Sequence, residues 1–157
     1  MNIRTNKSIR FGIQLAAGLL LVTGLASSSY AQSKLKAVAV TVGDLANPFF
    51  VQIAHGAQAE AKKANPSVKF TSESSNYDVN NQTNQMDNFV SSGANLILLN
   101  AADSKGVAPA VMRAKAAGIV VVAVDVGAEG GVDATVTSNN KQAGELDGKY
   151  VADRLKG

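Results

Sequence analysis

Three short runs in this chain are apolar at every position or nearly so: residues 37–42 (AVAVTV), 96–99 (LILL) and 119–124 (IVVVAV). A strand with one wet face alternates apolar and polar residues. A strand without alternation is buried on both faces, which requires a parallel sheet sandwiched between helices. Runs at 68–73 and 134–137 bring the expected strands to five, with helix-patterned segments between them. Val68-Lys69-Phe70-Thr71 does alternate, so the second strand is expected at an edge. That placement is what the doubly wound order 2-1-3-4-5 demands. The expected fold is α/β, a flavodoxin-like lobe.

The intervening helices carry their own signals. Phe50, Ile53, Ala54, Ala57, Ala61 and Ala64 follow three-four spacing and predict one buried face, with Gln52, Gln58, Lys62 and Lys63 left for water. Met86, Phe89 and Val90 mark a second helix ending at Gly93; Val107, Ala110, Val111 and Ala114 mark a third ending at Gly118. Both glycines stand where a left-handed C-terminal cap is least costly. Pro109 conflicts with a helix starting at Ser104 and is compatible with one starting about two residues later. The polar stretch Ser72 to Gln85 reads as a loop leading into the second helix, part of it near any ligand cleft. A last helix is expected over roughly 140–156.

Residues 1–31 stand apart from this pattern. Arg4, Lys7 and Arg10 precede an apolar stretch from Phe11 to Leu25, and Ser29-Tyr30-Ala31 places small residues at the −3 and −1 positions of a cleavage site. The reading is a cleaved export leader, with Gln32 as the new N-terminus. Those three basic residues explain the whole formal charge of +3: without them, 12 basic residues face 12 acidic ones. A neutral chain lacks the electrostatic footprint of a nucleic-acid binder. No cysteine is present, so neither a disulfide nor a lipid-bearing cysteine is available.

The candidate site gathers where strands end. In open α/β sheets, ligands bind at the carboxyl ends of the strands, in the crevice where the strand order reverses. Asn47-Pro48-Phe49-Phe50 follows the first strand, Asn100 ends the third and Asp125 the fourth. Amide and carboxylate groups hold pairs of hydroxyls, and a carboxylate acceptor makes a bond roughly twice as strong as a neutral one. Phenyl faces suit the C–H side of a sugar ring. Asn47 before Pro48 is equally an N-cap with proline at the first helical position. Phe50 lies on the apolar stripe and serves either core or ligand, whereas Phe49 lies off it. Asn100 and Asp125 taken singly would suit the capping of loop backbone.

Other chemistries find no support. His55 is the sole histidine and reads as a surface residue. No nucleophile elbow, phosphate-cradling loop or dinucleotide fingerprint follows any strand. Asp78-Val79-Asn80-Asn81-Gln82 opens like a calcium loop, but Thr83 and Phe89 occupy the positions that need glycine and glutamate. Without cysteine or a second histidine, no transition-metal set is visible. The expectation is a binding protein with no cofactor and no catalysis.

From Leu35 to Gly157 the chain resembles the ribose/galactose-type periplasmic sugar-binding proteins of ABC transporters. The resemblance rests on Asn47-Pro48-Phe49-Phe50, Leu98-Leu99-Asn100 with Ala101-Ala102-Asp103-Ser104, Ala123-Val124-Asp125, and Ser138-Asn139-Asn140. It implies sugar contact by Asn47, Phe49, Phe50, Asn100 and Asp125, delivery of a monosaccharide or polyol to an inner-membrane permease, periplasmic location and a monomeric full-length protein. A sugar-sensing input lobe for a chemoreceptor or sensor kinase would share every one of these residues. The family has two lobes. The resemblance therefore divides this chain into a leader (1–31), an incomplete N-terminal lobe (32–138) and the first helix of a second lobe (139–157).

Val126 stands where ribose-type members carry arginine, a bidentate donor that valine cannot replace. In the two-lobed protein that the resemblance implies, a thermal-shift panel of pentoses, hexoses and polyols should give its largest shift with a ligand other than D-ribose. A ribose maximum at equal concentration would show that this substitution does not set specificity.

Overall fold

The computed structural model describes residues 35–155. In chain order these form β1 (Ala37–Val42), α1 (Pro48–Ala64), β2 (Lys69–Ser74), α2 (Val79–Ser91), β3 (Leu96–Leu99), α3 (Ala108–Ala116), β4 (Val120–Val124), β5 (Ala134–Val136) and α4 (Asn140–Arg154). The expected leader lies outside the described residues. Among those residues, no helix is long and apolar enough to cross a membrane.

The five strands make one parallel sheet in the order β2-β1-β3-β4-β5. This is the doubly wound order expected from the patterns, with β2 at an edge and its residues largely exposed or half-buried. Each face has its own core. Ala39, Ile97, Leu99 and Val121 point to the side covered by α2 and α3, where they meet Met86, Phe89, Val107, Ala110 and Val111. Val38, Val40 and Val42 point to the other side and pack against Phe50 and Ala61 of α1.

That second face is covered unequally. Register aligns Leu96 with Val120, Leu98 with Val122, and Val124 with Val136. Alone among the described helices, α1 packs on this side, and it lies over β1. Val120 and Val136 are consequently 45% and 62% exposed. A 270 Å³ groove lined by Leu35, Val38, Ala57, Leu96 and Leu98 marks the margin of the covered part. β5 pairs only with β4, so its outer edge is open among the described residues. Helix α4 buries none of its residues.

Local chemistry accounts for the helix ends. Asn47 caps α1, its Oδ1 accepting from the Phe49 N–H at 3.0 Å, with Pro48 as the first helical residue. Pro109 falls within the first two positions of α3, where its missing N–H would have no intrahelical partner in any case. Gly93 and Gly118 follow α2 and α3 with φ of 78° each, as expected of left-handed caps. The reading of Ser72 to Gln85 as a loop is corrected: β2 continues to Ser74 and α2 begins at Val79. The Asp78 side chain accepts from the Asn80 and Asn81 N–H groups at 2.7 and 2.9 Å. That strong N-cap starts a helix in a segment whose asparagines read as coil. It also gives Asp78 a structural task in place of metal binding.

Two ion pairs brace the far side. Lys115 and the Val121 N–H hold the Asp133 carboxyl below the usual carboxylate range, and the hydrogen bonds that Arg113 donates to Asp87 raise the pKa of its guanidinium. Both pairs are exposed at their side chains, so they contribute little to stability. The turn ahead of β5 is more demanding. Gly130 has φ of 99°, and a Cβ there would sit 2.5 Å from the Ala108 carbonyl oxygen and 2.8 Å from Val111 Cβ. Gly130→Ala should destabilise the lobe by about 1–3 kcal/mol in urea unfolding. Gly127→Ala, with nothing near its Cβ, should change little. Equal midpoints for the two variants would refute the packing argument.

Candidate functional site

The carboxyl ends of all five strands are joined by one row of hydrogen bonds. The row starts at β2, where the Tyr77 N–H donates to the Gly43 carbonyl at 3.3 Å. The Gly43 N–H donates to Asn100 Oδ1 at 3.3 Å. Asn100 Nδ2 donates to the Val124 carbonyl at 3.2 Å and to Asp125 Oδ2 at 3.1 Å. At the β5 end, Thr137 Oγ1 donates to the Asp125 carbonyl at 2.7 Å, and the Asp125 N–H to the Val136 carbonyl at 2.8 Å. Neighbouring strands are thus tied to one another just beyond the sheet.

Of the candidate residues, Asn100 and Asp125 belong to this row, whereas Asn47 caps α1 and Phe49 and Phe50 lie in its first turn. Asn100 is only 4% exposed, with both amide hydrogens engaged. Its carbonyl oxygen keeps one lone pair beyond the bond from Gly43. Asp125 is half-buried and has a positive φ of 68°, tolerable for aspartate. One of its oxygens faces Asn100, and no described residue hydrogen-bonds the other. Phe49 is 50% exposed, while Phe50 is buried in the core under α1. The two rings meet edge-on at 5.3 Å. Phe49, Ile53, Val124, Asp125, Val136, Thr137 and Ser138 line an open concavity of 260 Å³. Asn47 stands at the exposed start of α1. Phe49, Asp125 and the β5 end therefore share one concavity, and Asn100 hydrogen-bonds its Val124 and Asp125 without lining it.

Sequence reading missed the layer that supports this row. Gln82, on α2, is fully buried. Its Nε2 donates to the Asn100 carbonyl at 2.9 Å and to Thr41 Oγ1 at 3.1 Å, while its Oε1 accepts from the Ala102 N–H at 2.7 Å. One side-chain amide thus brackets the backbone on both sides of Ala101. Thr41 Oγ1 in turn donates to Gln85 Oε1 at 2.7 Å, and Gln85 Nε2 to the Ser74 carbonyl at 2.8 Å. Thr41 is a lone hydroxyl in an otherwise apolar run, and Gln82 and Gln85 share a helical face with Met86 and Phe89. Those positions carry the signal once residues 79–85 are recognised as helix. Tyr77, too, was passed over as part of the loop. His55 is exposed, and no group of three or more potential metal-ligating side chains occurs among the described residues.

Residues 38–157 match the family model described as periplasmic binding protein domain, and the chain belongs to that family. It is 34% identical over 119 residues to the ribose import binding protein of Bacillus subtilis, covering 75% of this chain and 38% of that one. It is 30% identical to the xylitol-binding protein of Mycolicibacterium smegmatis, covering 100% of this chain and 44% of the relative. Among solved structures, an ABC transporter solute-binding protein from Mycobacterium smegmatis with bound glycerol is similar at 35% identity and TM-score 0.69. That match covers 77% of this chain and 41% of the other. The chain thus spans less than half the length of these relatives.

The Gln82 bracket generates a direct test. Gln82→Met keeps the side chain's length while leaving the Asn100 carbonyl, the Ala102 N–H and Thr41 short of a partner. Each buried group left unpaired costs about 1–3 kcal/mol. Urea unfolding should show a loss of at least that size. A variant as stable as the parent would mean that the bracket is dispensable.

Proposed function

We propose that this chain is the N-terminal part of an exported solute receptor that binds a monosaccharide or polyol and hands it to an ABC-transporter permease. The observation that carries the reading is the row of polar groups across the strand ends, bordered by the exposed face of Phe49. Asp125 offers the charged acceptor, Asn100 one remaining lone pair, and Phe49 an apolar face. Phe50 backs Phe49 from the core. Asn47 caps α1 through its Oδ1 and, on this reading, would offer its Nδ2, which donates to no described residue, to a ligand hydroxyl. Nothing in this set activates a nucleophile or shuttles a proton, so the role is recognition without catalysis.

The same reading treats residues 1–31 as a leader, 32–138 as an incomplete lobe, and 139–157 as the start of a second lobe. Three features favour it: α4 without a packed face, the half-covered sheet and the greater length of the relatives. In a complete, monomeric receptor, a second lobe would close over the ligand, a hinge motion for which periplasmic binding proteins are a standing example.

Calorimetry on the protein extended through its second lobe tests the assignment. Asp125→Ala should cost about 1.5–3 kcal/mol of binding free energy, the worth of a hydrogen bond to a charged group, and Asn100→Ala less. The present chain should bind no tighter than about millimolar, near 4 kcal/mol, because one lobe cannot bury most of a ligand's surface. Unchanged affinity in Asp125→Ala, or micromolar binding by the single lobe, would overturn the reading.

A further inference from the structure

Tyr77 opens the row of strand ends on the β2 side through its backbone N–H, and its side chain has no role in the site as described above. Its ring lies against Gly43, the residue whose N–H is held by Asn100. A Cβ on Gly43 would fall within 3.0 Å of three atoms of that ring, so glycine there is what lets the ring lie down on the row. The ring also meets Phe50 edge-on at 6.3 Å, and Phe50 meets Phe49 at 5.3 Å. Three aromatic rings therefore follow one another past the carboxyl ends of β2 and β1.

Two properties separate Tyr77 from ordinary packing. Its φ is 58°, directly after Asn76 at 54°. Asparagine visits the left-handed region readily, whereas a bulky aromatic there is an outlier. Such strain persists only when the surroundings impose it, and it concentrates at functional sites. Burial does not compensate for it, because Tyr77 is 59% exposed. Nor does its hydroxyl hydrogen-bond any described residue. The result is an exposed aromatic face with a free phenolic tip, beside a row of polar groups.

Resting on the sugar or polyol reading, we propose that Tyr77 is a specificity-determining residue that extends the site across Gly43 and selects for ligand length. Neighbouring strands lie about 4.8 Å apart, so Gly43 and Asp125, two strands apart, are separated by about 10 Å. An extended five- or six-carbon polyol can hydrogen-bond Asp125 at one end and reach the Tyr77 ring at the other. A three-carbon polyol anchored at Asp125 cannot.

Backbone and side-chain NMR of the full chain, titrated with xylitol, D-ribose and glycerol in turn, tests this at millimolar affinities. Xylitol should shift the signals of Tyr77 and Gly43 together with those of Asn100. Tyr77→Gly, which suits the positive φ, should weaken xylitol by on the order of two- to tenfold, the worth of an aromatic contact, and leave glycerol unchanged. A purely structural role would weaken both ligands alike. Tyr77→Phe, which keeps the ring, should retain most of the xylitol affinity and serves if the glycine variant fails to fold. Shifts at Phe49, Asn100 and Asp125 with Tyr77 silent, or equal losses for xylitol and glycerol, would overturn this inference and leave the site standing. No saturable shift with any of the three ligands would remove the sugar and polyol reading, and this one with it.

Discussion

The buried amide of Asn100 is the joint on which the carboxyl end of the sheet depends. It accepts from β1's exit at Gly43 and donates to β4's last carbonyl and to Asp125. A side chain this buried must satisfy its polar atoms internally, because leaving them unpaired is expensive. Satisfying them here requires three strands to end in register. Gln82 then holds the Asn100 carbonyl from below, from a helix that also supplies Met86 and Phe89 to the core. The polar row at the strand ends and the hydrophobic core are consequently parts of one mechanical unit.

The two faces of the sheet differ in completeness. On one side, α2 and α3 cover β1, β3 and β4 with fully buried side chains. On the other, α1 lies over β1, leaving valines of β4 and β5 in water. A parallel sheet is stable when both faces are covered, and an open strand edge is a template for pairing with another chain. The bare strip, the open β5 edge and the unpacked α4 are left uncovered among the described residues. Val136 belongs both to that bare strip and to the lining of the concavity beside Phe49 and Asp125.

Much of this was legible in the amino-acid order. Unbroken apolar runs identified the central strands, the alternation at Val68-Lys69-Phe70-Thr71 identified the edge, and Gly93 and Gly118 marked the helix ends. Phe49 and Phe50 were separable because only Phe50 falls on the helical stripe, and they are respectively exposed and buried. The second helix was read as starting too late. Asparagine and serine have weak helix propensity, and the capping by Asp78 that offsets it is a short-range geometry easily taken for a turn. That error concealed Gln82 and Gln85, because glutamines in a loop have no reason to be buried.

Local pattern by itself determined the element order, the strand order, the position of Asn100 and Asp125 at strand ends, and that of Asn47 and Phe49 at the start of the first helix. These follow from periodicities of two and 3.6 residues and from the handedness of crossovers, which act over short stretches of chain. Which polar atoms pair was decided only in three dimensions. Asn100 and Asp125 are 25 residues apart, and Gln82 lies 18 residues from the carbonyl it holds. Nothing in their local sequence records whether such groups face ligand, solvent or each other. The positive φ of Tyr77 and its place on Gly43 are likewise consequences of packing: a conformation disfavoured locally exists because its neighbours leave the ring no other position.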